Sequence, residues 1–214
     1  MKLFLTSIGL SPETTKYFLK LLNKKPSESK VCFIPTAADL KENKWFLDVD
    51  KKRLNELGFN VTELDIKKED EQSLTDKFKE FDVIFVEGGN TFYLLKYMRD
   101  SGFKKAIKTF LDRGGVYLGL SAGSITMGQN IEPSVWKGIN YNIVDLKDFT
   151  GLNFVPFVIC VHINESNIEL IKQKAKETGY PIVALTDKQA LLVDGEKVEI
   201  VGEGNEITFN INHL

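Results

Sequence analysis

Residues 114–127, GGVYLGLSAGSITM, join a short apolar run to a segment compatible with a helix. The apolar run, residues 116–120, follows a Gly-Gly turn and predicts a buried strand. The next residues, GLSAG at 119–123, match the G-x-S-x-G pattern. In that pattern a serine sits on a strained strand-to-helix turn with its hydroxyl exposed, and glycines flank it where a Cβ would not fit. The pattern predicts Ser121 as a nucleophile, and the alternative is a serine that only caps the helix.

Strands and helices alternate along the rest of the chain. Six further apolar runs have the length and composition of buried strands: residues 2–6, 31–34, 61–66, 82–87, 157–161 and 182–185. This alternation predicts an α/β fold of three layers, in which helices cover both faces of a mostly parallel sheet. We expect residues 182–185 to be the last central strand, followed by short antiparallel edge strands near the C-terminal end. The absence of a repeat or linker predicts a single domain over residues 1–214.

The composition is that of a globular protein, with 43% hydrophobic residues, 27% charged residues and a net charge of −2. Lysines alternate with acids and form no basic block, so we expect no nucleic-acid partner. The N-terminal apolar run is too short for a signal peptide, and no later run approaches a membrane span. The sequence therefore predicts a cytoplasmic protein, a monomer or homodimer, that makes no contact with membranes.

Cofactor and metal motifs are absent from the sequence. The two histidines and two cysteines form no cluster of metal ligands. No strand is followed by a dinucleotide-binding glycine pattern or by a Walker-type Gly-Lys-Ser. Cys32 and Cys160 each lie inside an apolar run, which favours buried free thiols over a disulfide. We therefore expect neither a metal nor a cofactor.

Four candidate functional positions follow predicted strands: Gly88-Gly89, Ser121, His162 and Asp187. In open parallel sheets, ligands bind beyond the carboxyl ends of the strands. A nucleophilic serine needs a base that takes its proton, and the base needs a carboxylate that fixes its tautomer. The N–H groups of the Gly88-Gly89 turn and of Ala122 are candidates for an oxyanion hole. The alternative for the Gly-Gly turn is an ordinary connection between strand and helix.

The base is one of two histidines. His162 follows an apolar run, whereas His213 is next to the last residue, where chain ends usually fray. These positions favour His162. One observation favours His213 as the base: Ser121, Asp187 and His213 follow the chain order of the triad in α/β-hydrolases.

Several acids compete to orient the base. Asp187 follows the strand after the one that ends at His162, while Glu132, Asp145 and Glu165 remain alternatives. Glu165 is also a candidate for binding a substrate amine, or it simply starts a helix. Asn90, directly after the Gly-Gly turn, is a further candidate for substrate binding.

These motifs resemble the peptidase E family (peptidase S51), serine peptidases that include aspartyl dipeptidases and are related to cyanophycinases. The matching segments run in the same order along the chain: FIP at 33–35, GFNVT at 58–62, GGNTF at 88–92, GLSAG at 119–123 and the run that ends at His162. The resemblance implies a class I glutamine amidotransferase-like fold with an elbow serine and a catalytic histidine that matches His162. It also implies an oxyanion hole built from the Gly-Gly turn and the N–H after the serine.

The chain departs from the aspartyl dipeptidases that it resembles in two places. Their Leu-Pro-Glu-Gly segment carries the glutamate of the triad, whereas residues 185–188 here read LTDK and supply an aspartate that is one methylene shorter. They also carry, beyond the histidine, an arginine that recognises the substrate's aspartyl carboxylate, and no arginine follows Arg113 here. We therefore expect a serine peptidase that cleaves short peptides through Ser121, His162 and Asp187 without strict specificity for aspartate. The alternatives are a carboxylester hydrolase that uses His213 and a non-catalytic binding domain on the same fold.

Overall fold

The computed structural model describes residues 1–138 and 140–211, so His213 lies outside the described residues. The strands of the described part are β1 (Lys2–Thr6), β2 (Lys30–Ile34), β3 (Asn60–Glu63), β4 (Val83–Val86), β5 (Val116–Leu120), β6 (Val158–Cys160), β7 (Ile182–Ala184), β8 (Gln189–Asp194), β9 (Lys197–Gly202) and β10 (Ile207–Phe209). The helices are α1 (Thr15–Leu22), α2 (Trp45–Glu56), α3 (Glu71–Phe78), α4 (Thr91–Asp100), α5 (Phe103–Asp112), α6 (Ala122–Ile125), α7 (Pro133–Trp136) and α8 (Ile168–Thr178).

The main sheet has the strand order β3-β2-β4-β5-β1-β8-β9. Its first five strands are parallel, and β8 and β9 pair antiparallel at one edge. The strand that leads to Ser121, β5, therefore lies between β4, which leads to the Gly-Gly turn, and β1. Since parallel strands end at the same edge of a sheet, the turn and the serine are neighbours.

Helices cover both faces of this sheet, because its strands send alternate side chains to opposite sides. In β1, Phe4 packs in the core layer under α1 and α2, whereas Leu3 and Leu5 pack in the layer under α3, α4 and α5. In β2, Phe33 packs in the layer under α1 and α2, whereas its neighbours Cys32 and Ile34 pack in the layer under α3, α4 and α5. The predicted three-layer α/β class with a mostly parallel sheet is confirmed.

The prediction of a single sheet is wrong in one respect, because β6, β7 and β10 form a separate sheet in the order β10-β7-β6. Residues 182–185 are therefore not a central strand of the main sheet. One face of the smaller sheet packs on the main core through Ile159 and Val183, and the other packs on α8 through Val158 and Ile182. Both faces are buried, so its strands have the same apolar composition as the central strands of the main sheet.

The apolar pattern of α2 predicts that Phe46, Val49, Leu54 and Leu57 face inward, and for Val49 this is wrong. Val49 is 42% exposed, whereas Leu47, Asp50 and Leu54 are buried. The inward face of α2 thus contains an acid that a search for apolar periodicity cannot recognise.

Both cysteines are buried and free, as the sequence predicts. Among the described residues, no helix has the length and apolar character that a membrane span requires.

Ser124 is buried where β1, β5 and α6 meet. Its hydroxyl lies 2.8 Å from the carbonyl oxygen of Thr6 and 2.9 Å from that of Gly119, and it accepts a hydrogen bond from the Thr6 N–H at 2.9 Å. The side chain thereby joins the last residue of β1 to the turn that carries Ser121.

Replacing Ser124 by alanine leaves the buried Thr6 N–H without this acceptor, so we expect a loss of about 1–3 kcal/mol in the free energy of unfolding. Urea denaturation followed by circular dichroism measures this loss. The matched control is Ser166→Ala, since the exposed Ser166 hydroxyl bonds, within the described part of the chain, only the neighbouring Asn164 side chain. Equal stability of the two variants would contradict the role assigned to Ser124.

Candidate active site

The turn after β5 holds Ser121 in an unusual backbone conformation, with φ 48° and ψ −103°. Residues with a side chain rarely adopt positive φ, and such strained positions cluster at active sites. The Ser121 N–H donates to the Thr6 carbonyl at 3.0 Å, and α6 starts at the next residue. A Cβ on Gly123 would lie 2.3 Å from the Val86 carbonyl oxygen, so only glycine lets α6 pack this closely against β4.

His162 follows β6 and faces Ser121. Its ring Nε2 lies 3.2 Å from the Ser121 hydroxyl oxygen, and its Nδ1 lies 2.8 Å from Oδ1 of Asp187. The backbone of His162 is fixed as well: its N–H donates to the Ser7 hydroxyl at 3.0 Å, and its carbonyl accepts from the Asn167 side chain at 2.9 Å. The structure thus brings together the three side chains that the sequence predicts for a catalytic triad.

Asp187 reaches the histidine because β6 and β7 are parallel neighbours. Their pairing continues past the strand ends, where the Ile163 N–H donates to the Leu185 carbonyl at 3.0 Å. The hydrogen bond from His162 lowers the pKa of Asp187, the charge of Lys137 acts in the same direction, and partial burial opposes both. Asp187 is therefore the carboxylate in contact with the histidine, and it is held in its charged form.

The other candidate acids lie elsewhere. The Glu132 carboxylate accepts from the Trp136 indole N–H at 3.4 Å, and the Asp145 side chain is 81% exposed and paired with Lys147. Neither makes a hydrogen bond to His162 in the described part of the chain. Glu165 is exposed and lies outside the pocket described below.

Two of the three N–H groups predicted for an oxyanion hole are free. Those of Gly89 and Ala122 have no acceptor among residues 1–138 and 140–211, whereas the Gly88 N–H already donates to the Glu87 carboxylate at 2.9 Å. Gly89 has a φ of 148°, and a Cβ there would lie 2.0 Å from the Ala37 carbonyl oxygen. Gly88 lines the pocket described below, but its N–H already has an internal acceptor, so its place in the oxyanion hole stays a prediction.

A pocket of about 230 Å³ opens in front of Ser121, and His162 and Gly89 line it. Its other walls are mainly apolar, formed by Phe46, Leu120, Ile125, Pro133 and Val161. Asn90, a predicted substrate-binding residue, does not line it. The Asn90 side chain instead caps α4, accepting from the Tyr93 N–H at 2.9 Å and donating to the Tyr141 carbonyl at 2.9 Å.

The model of peptidase family S51 matches residues 3–201 of the chain. The chain belongs to peptidase family S51. An uncharacterized peptidase of Listeria monocytogenes is 33% identical over 204 residues, which are 92% of this chain and 96% of that protein. A probable alpha-aspartyl dipeptidase of Drosophila melanogaster is 29% identical over 202 residues, 89% of this chain and 80% of that protein.

Solved structures show the same fold. A 1.5 Å crystal structure of a candidate peptidase E from Listeria monocytogenes EGD-e superposes with a TM-score of 0.80 at 30% identity, covering 95% of this chain and 98% of that one. A peptidase from an acI-B1 actinobacterium has a TM-score of 0.70 at 15% identity, covering 99% and 95% of the two chains. This S51 protein is therefore a serine-type peptidase, as the sequence predicts.

Sequence reasoning missed two lysines in the pocket of this S51 peptidase, Lys41 and Lys137. Lys137 is half-buried, and its ammonium group donates to the Val161 carbonyl next to His162. Burial lowers the pKa of Lys137, and the nearby Cys160 and Asp187 oppose that shift. Both lysines belong to irregular segments, which have no periodic pattern that could indicate where their side chains lie.

Because the Gly123 position has no space for a Cβ, we expect Gly123→Ala to displace α6 and to slow the reaction of Ser121 with a fluorophosphonate probe at least tenfold. Probe labelling rates and the melting temperature measure the two effects. Gly195→Ala is the control, since Gly195 has open space around it and its positive φ of 64° strains an alanine without any steric contact. That variant should lose about 1–2 kcal/mol of stability with an unchanged labelling rate. Wild-type labelling of Gly123→Ala would contradict the steric argument.

Proposed function

We propose that this S51 peptidase hydrolyses short peptides through an acyl-enzyme, with Ser121 as nucleophile, His162 as general base and Asp187 as the residue that orients the base. The observation that carries the proposal is the chain of contacts from Asp187 through His162 to Ser121, of 2.8 and 3.2 Å, at a pocket with two free N–H groups. A nucleophile, a base and an orienting acid within hydrogen-bond reach are what acyl transfer requires.

In the first half of the reaction, the Ser121 hydroxyl oxygen attacks the peptide carbonyl while Nε2 of His162 takes its proton. The N–H groups of Gly89 and Ala122 donate to the oxyanion that forms. His162 then gives the proton to the leaving amine, and the first product departs. In the second half, a water molecule repeats the same steps on the acyl-enzyme and releases the carboxylic acid.

Asp187 accepts the hydrogen bond from the Nδ1–H of His162, so that Nε2 stays free to accept the serine proton. The separation of 2.8 Å supports aspartate in this role although its side chain is shorter than glutamate. His162 contacts Ser121 at 3.2 Å, which supports the peptidase mechanism, while His213, the base of the esterase alternative, lies outside the described residues.

The pocket favours substrates with a small or neutral first residue. Each of the three arginines is engaged elsewhere: Arg53 lies near Asp50, Arg99 binds Asp148 and Thr150, and Arg113 binds the carbonyls of Phe78 and Phe81. A lysine ammonium matches a carboxylate less well than a bidentate guanidinium. In addition, the Lys137 ammonium group is already engaged, because it donates a hydrogen bond to the Val161 carbonyl.

Substitutions in the triad test the mechanism. We expect Ser121→Ala and His162→Ala each to lower kcat for peptide hydrolysis by on the order of 10³-fold or more, and Asp187→Asn by on the order of 10²- to 10⁴-fold because the histidine adopts the wrong tautomer. Steady-state kinetics and fluorophosphonate labelling measure these losses.

The controls are Asp145→Asn and Glu132→Gln, which remove the competing acids and should leave kcat within threefold of the wild type. Near-normal hydrolysis by Ser121→Ala would refute the peptidase proposal. Full activity of Asp187→Asn would transfer its role to another acid, and full activity of His162→Ala would favour His213.

The lining of the pocket also predicts which first residue of the substrate is preferred. We expect kcat/KM for Ala-Leu and Gly-Leu to equal or exceed that for Asp-Leu, because the pocket walls are mainly apolar and its cations are lysines. Dipeptide hydrolysis with N-acetylated substrates as controls measures this preference. If Asp-Leu is better by tenfold, about 1.4 kcal/mol in transition-state binding, the preference is wrong. If Lys137→Met then selectively loses the advantage of Asp-Leu, the preference for aspartate is assigned to Lys137.

A further inference from the structure

A pair of buried acids that the proposed mechanism does not use lies beneath the Gly-Gly turn. Glu87 is the residue between β4 and Gly88, and its side chain is 0% exposed. Asp50, on the inward face of α2, is also buried, and its negative charge raises the pKa of the nearby Glu87 carboxyl. Isolated carboxylates are almost never fully buried, so this pair needs an explanation.

The hydrogen bonds of Glu87 leave one oxygen without a partner. Oε2 accepts from the Gly88 N–H at 2.9 Å, whereas Oε1 is buried and has no donor among the described residues. Two adjacent carboxylates cannot both remain ionised in such a place, because each disfavours the charge of the other. One proton held between Glu87 and Asp50 gives each carboxyl a hydrogen-bond partner and removes one buried charge.

The charged groups around the pair do not remove the need for that proton. Arg53 Nη1 lies 3.8 Å from Oδ1 of Asp50, and the charge of Lys51 acts on Glu87, but Lys51 also pairs at the surface with Glu63 at 3.1 Å. Burial and the neighbouring Asp50 raise the pKa of Glu87 well above its ordinary value, and burial also raises the pKa of Asp50. With one proton shared, the pair would carry a single negative charge, which Arg53 approaches from the same helix.

We propose that Glu87 and Asp50 share one proton, and that Glu87 in this pair is a positioning residue that holds the Gly88 N–H and thereby keeps the Gly89 N–H free at the pocket. The inference rests on the proposed function insofar as the Gly89 N–H stabilises the oxyanion. If Gly88 lost its internal acceptor, its N–H would compete for other acceptors and the turn would change its orientation. The residue that fixes the oxyanion hole then lies behind it and never touches the substrate.

The pH dependence follows from the direction of the shifts. The folded protein favours the protonated form of the pair, so its contribution to stability is fully present below the pKa of an unfolded carboxyl group and is lost as the pH rises through the folded pKa. Loss of the shared proton leaves two negative charges under the turn. We therefore expect the melting temperature and kcat to decline together toward alkaline pH, with little change in KM.

Glu87→Gln separates this proposal from a simple packing role. The amide oxygen accepts from Gly88 and the amide N–H donates to Asp50, but the group has no proton to lose. We expect this variant to keep kcat within threefold of the wild type at neutral pH and to show a weaker alkaline decline in both kcat and melting temperature. Glu87→Ala should lower kcat at least tenfold with KM within threefold, since it removes the acceptor for Gly88.

Two further variants serve as controls. Asp50→Asn also supplies a permanent donor to Glu87, so it should weaken the alkaline decline in the same way. Glu56→Gln, which neutralises an exposed acid on the same helix, should retain the wild-type decline. Infrared spectra of the wild type at neutral pH should contain a band from a protonated carboxylic acid, and that band should be absent in Glu87→Gln.

The melting temperature and the infrared band report on the shared proton whether or not the protein cleaves a given peptide. A failure of the peptidase proposal, seen as unchanged hydrolysis by Ser121→Ala, is therefore distinguishable from a failure of this one. An unchanged alkaline decline in Glu87→Gln, or a missing infrared band, overturns the shared proton. A wild-type kcat in a folded Glu87→Ala overturns the positioning role.

Discussion

The arrangement of the site depends on the positive φ of Ser121, a conformation that costs about 1–3 kcal/mol for a residue with a side chain. The surrounding contacts impose it. The Thr6 carbonyl binds the Ser121 N–H, Ser124 joins β1 to β5, and Gly123 lets α6 approach β4. Contacts from β1, β4 and β5 thus converge on one turn, and they hold the Ser121 hydroxyl 3.2 Å from Nε2 of His162.

The second set of constraints fixes the histidine. Ser7, directly after β1, accepts from the His162 N–H, and its hydroxyl lies 3.1 Å from the Leu185 carbonyl. One small side chain therefore links the main sheet to the segments that follow β6 and β7. The resulting separations between the serine, histidine and aspartate side chains are set by backbone contacts rather than by the long reach of flexible side chains.

Much of this arrangement could be predicted from the sequence, because the glycine pattern around Ser121 and the strand ends at His162 and Asp187 reflect local backbone requirements. The separate sheet could not, since β7 has the same apolar composition as a central strand and composition does not specify its partner. The acceptor of the Gly88 N–H could not be predicted, because it is a side chain whose burial the sequence does not reveal. Lys137 was missed because the irregular segment that carries it has no periodic pattern from which an orientation follows.

The division of the site between two sheets has a consequence for how the protein moves. Ser121 and the free N–H groups follow strands of the main sheet, while His162 and Asp187 follow strands of the smaller one. Proteins open in cooperative units, and a three-stranded sheet with short strands is a natural unit of that kind. Under the proposed mechanism, opening of this unit alone would separate His162 from Ser121 while the serine turn kept its contacts with β1 and β4. Activity would then be lost in a smaller fluctuation than global unfolding.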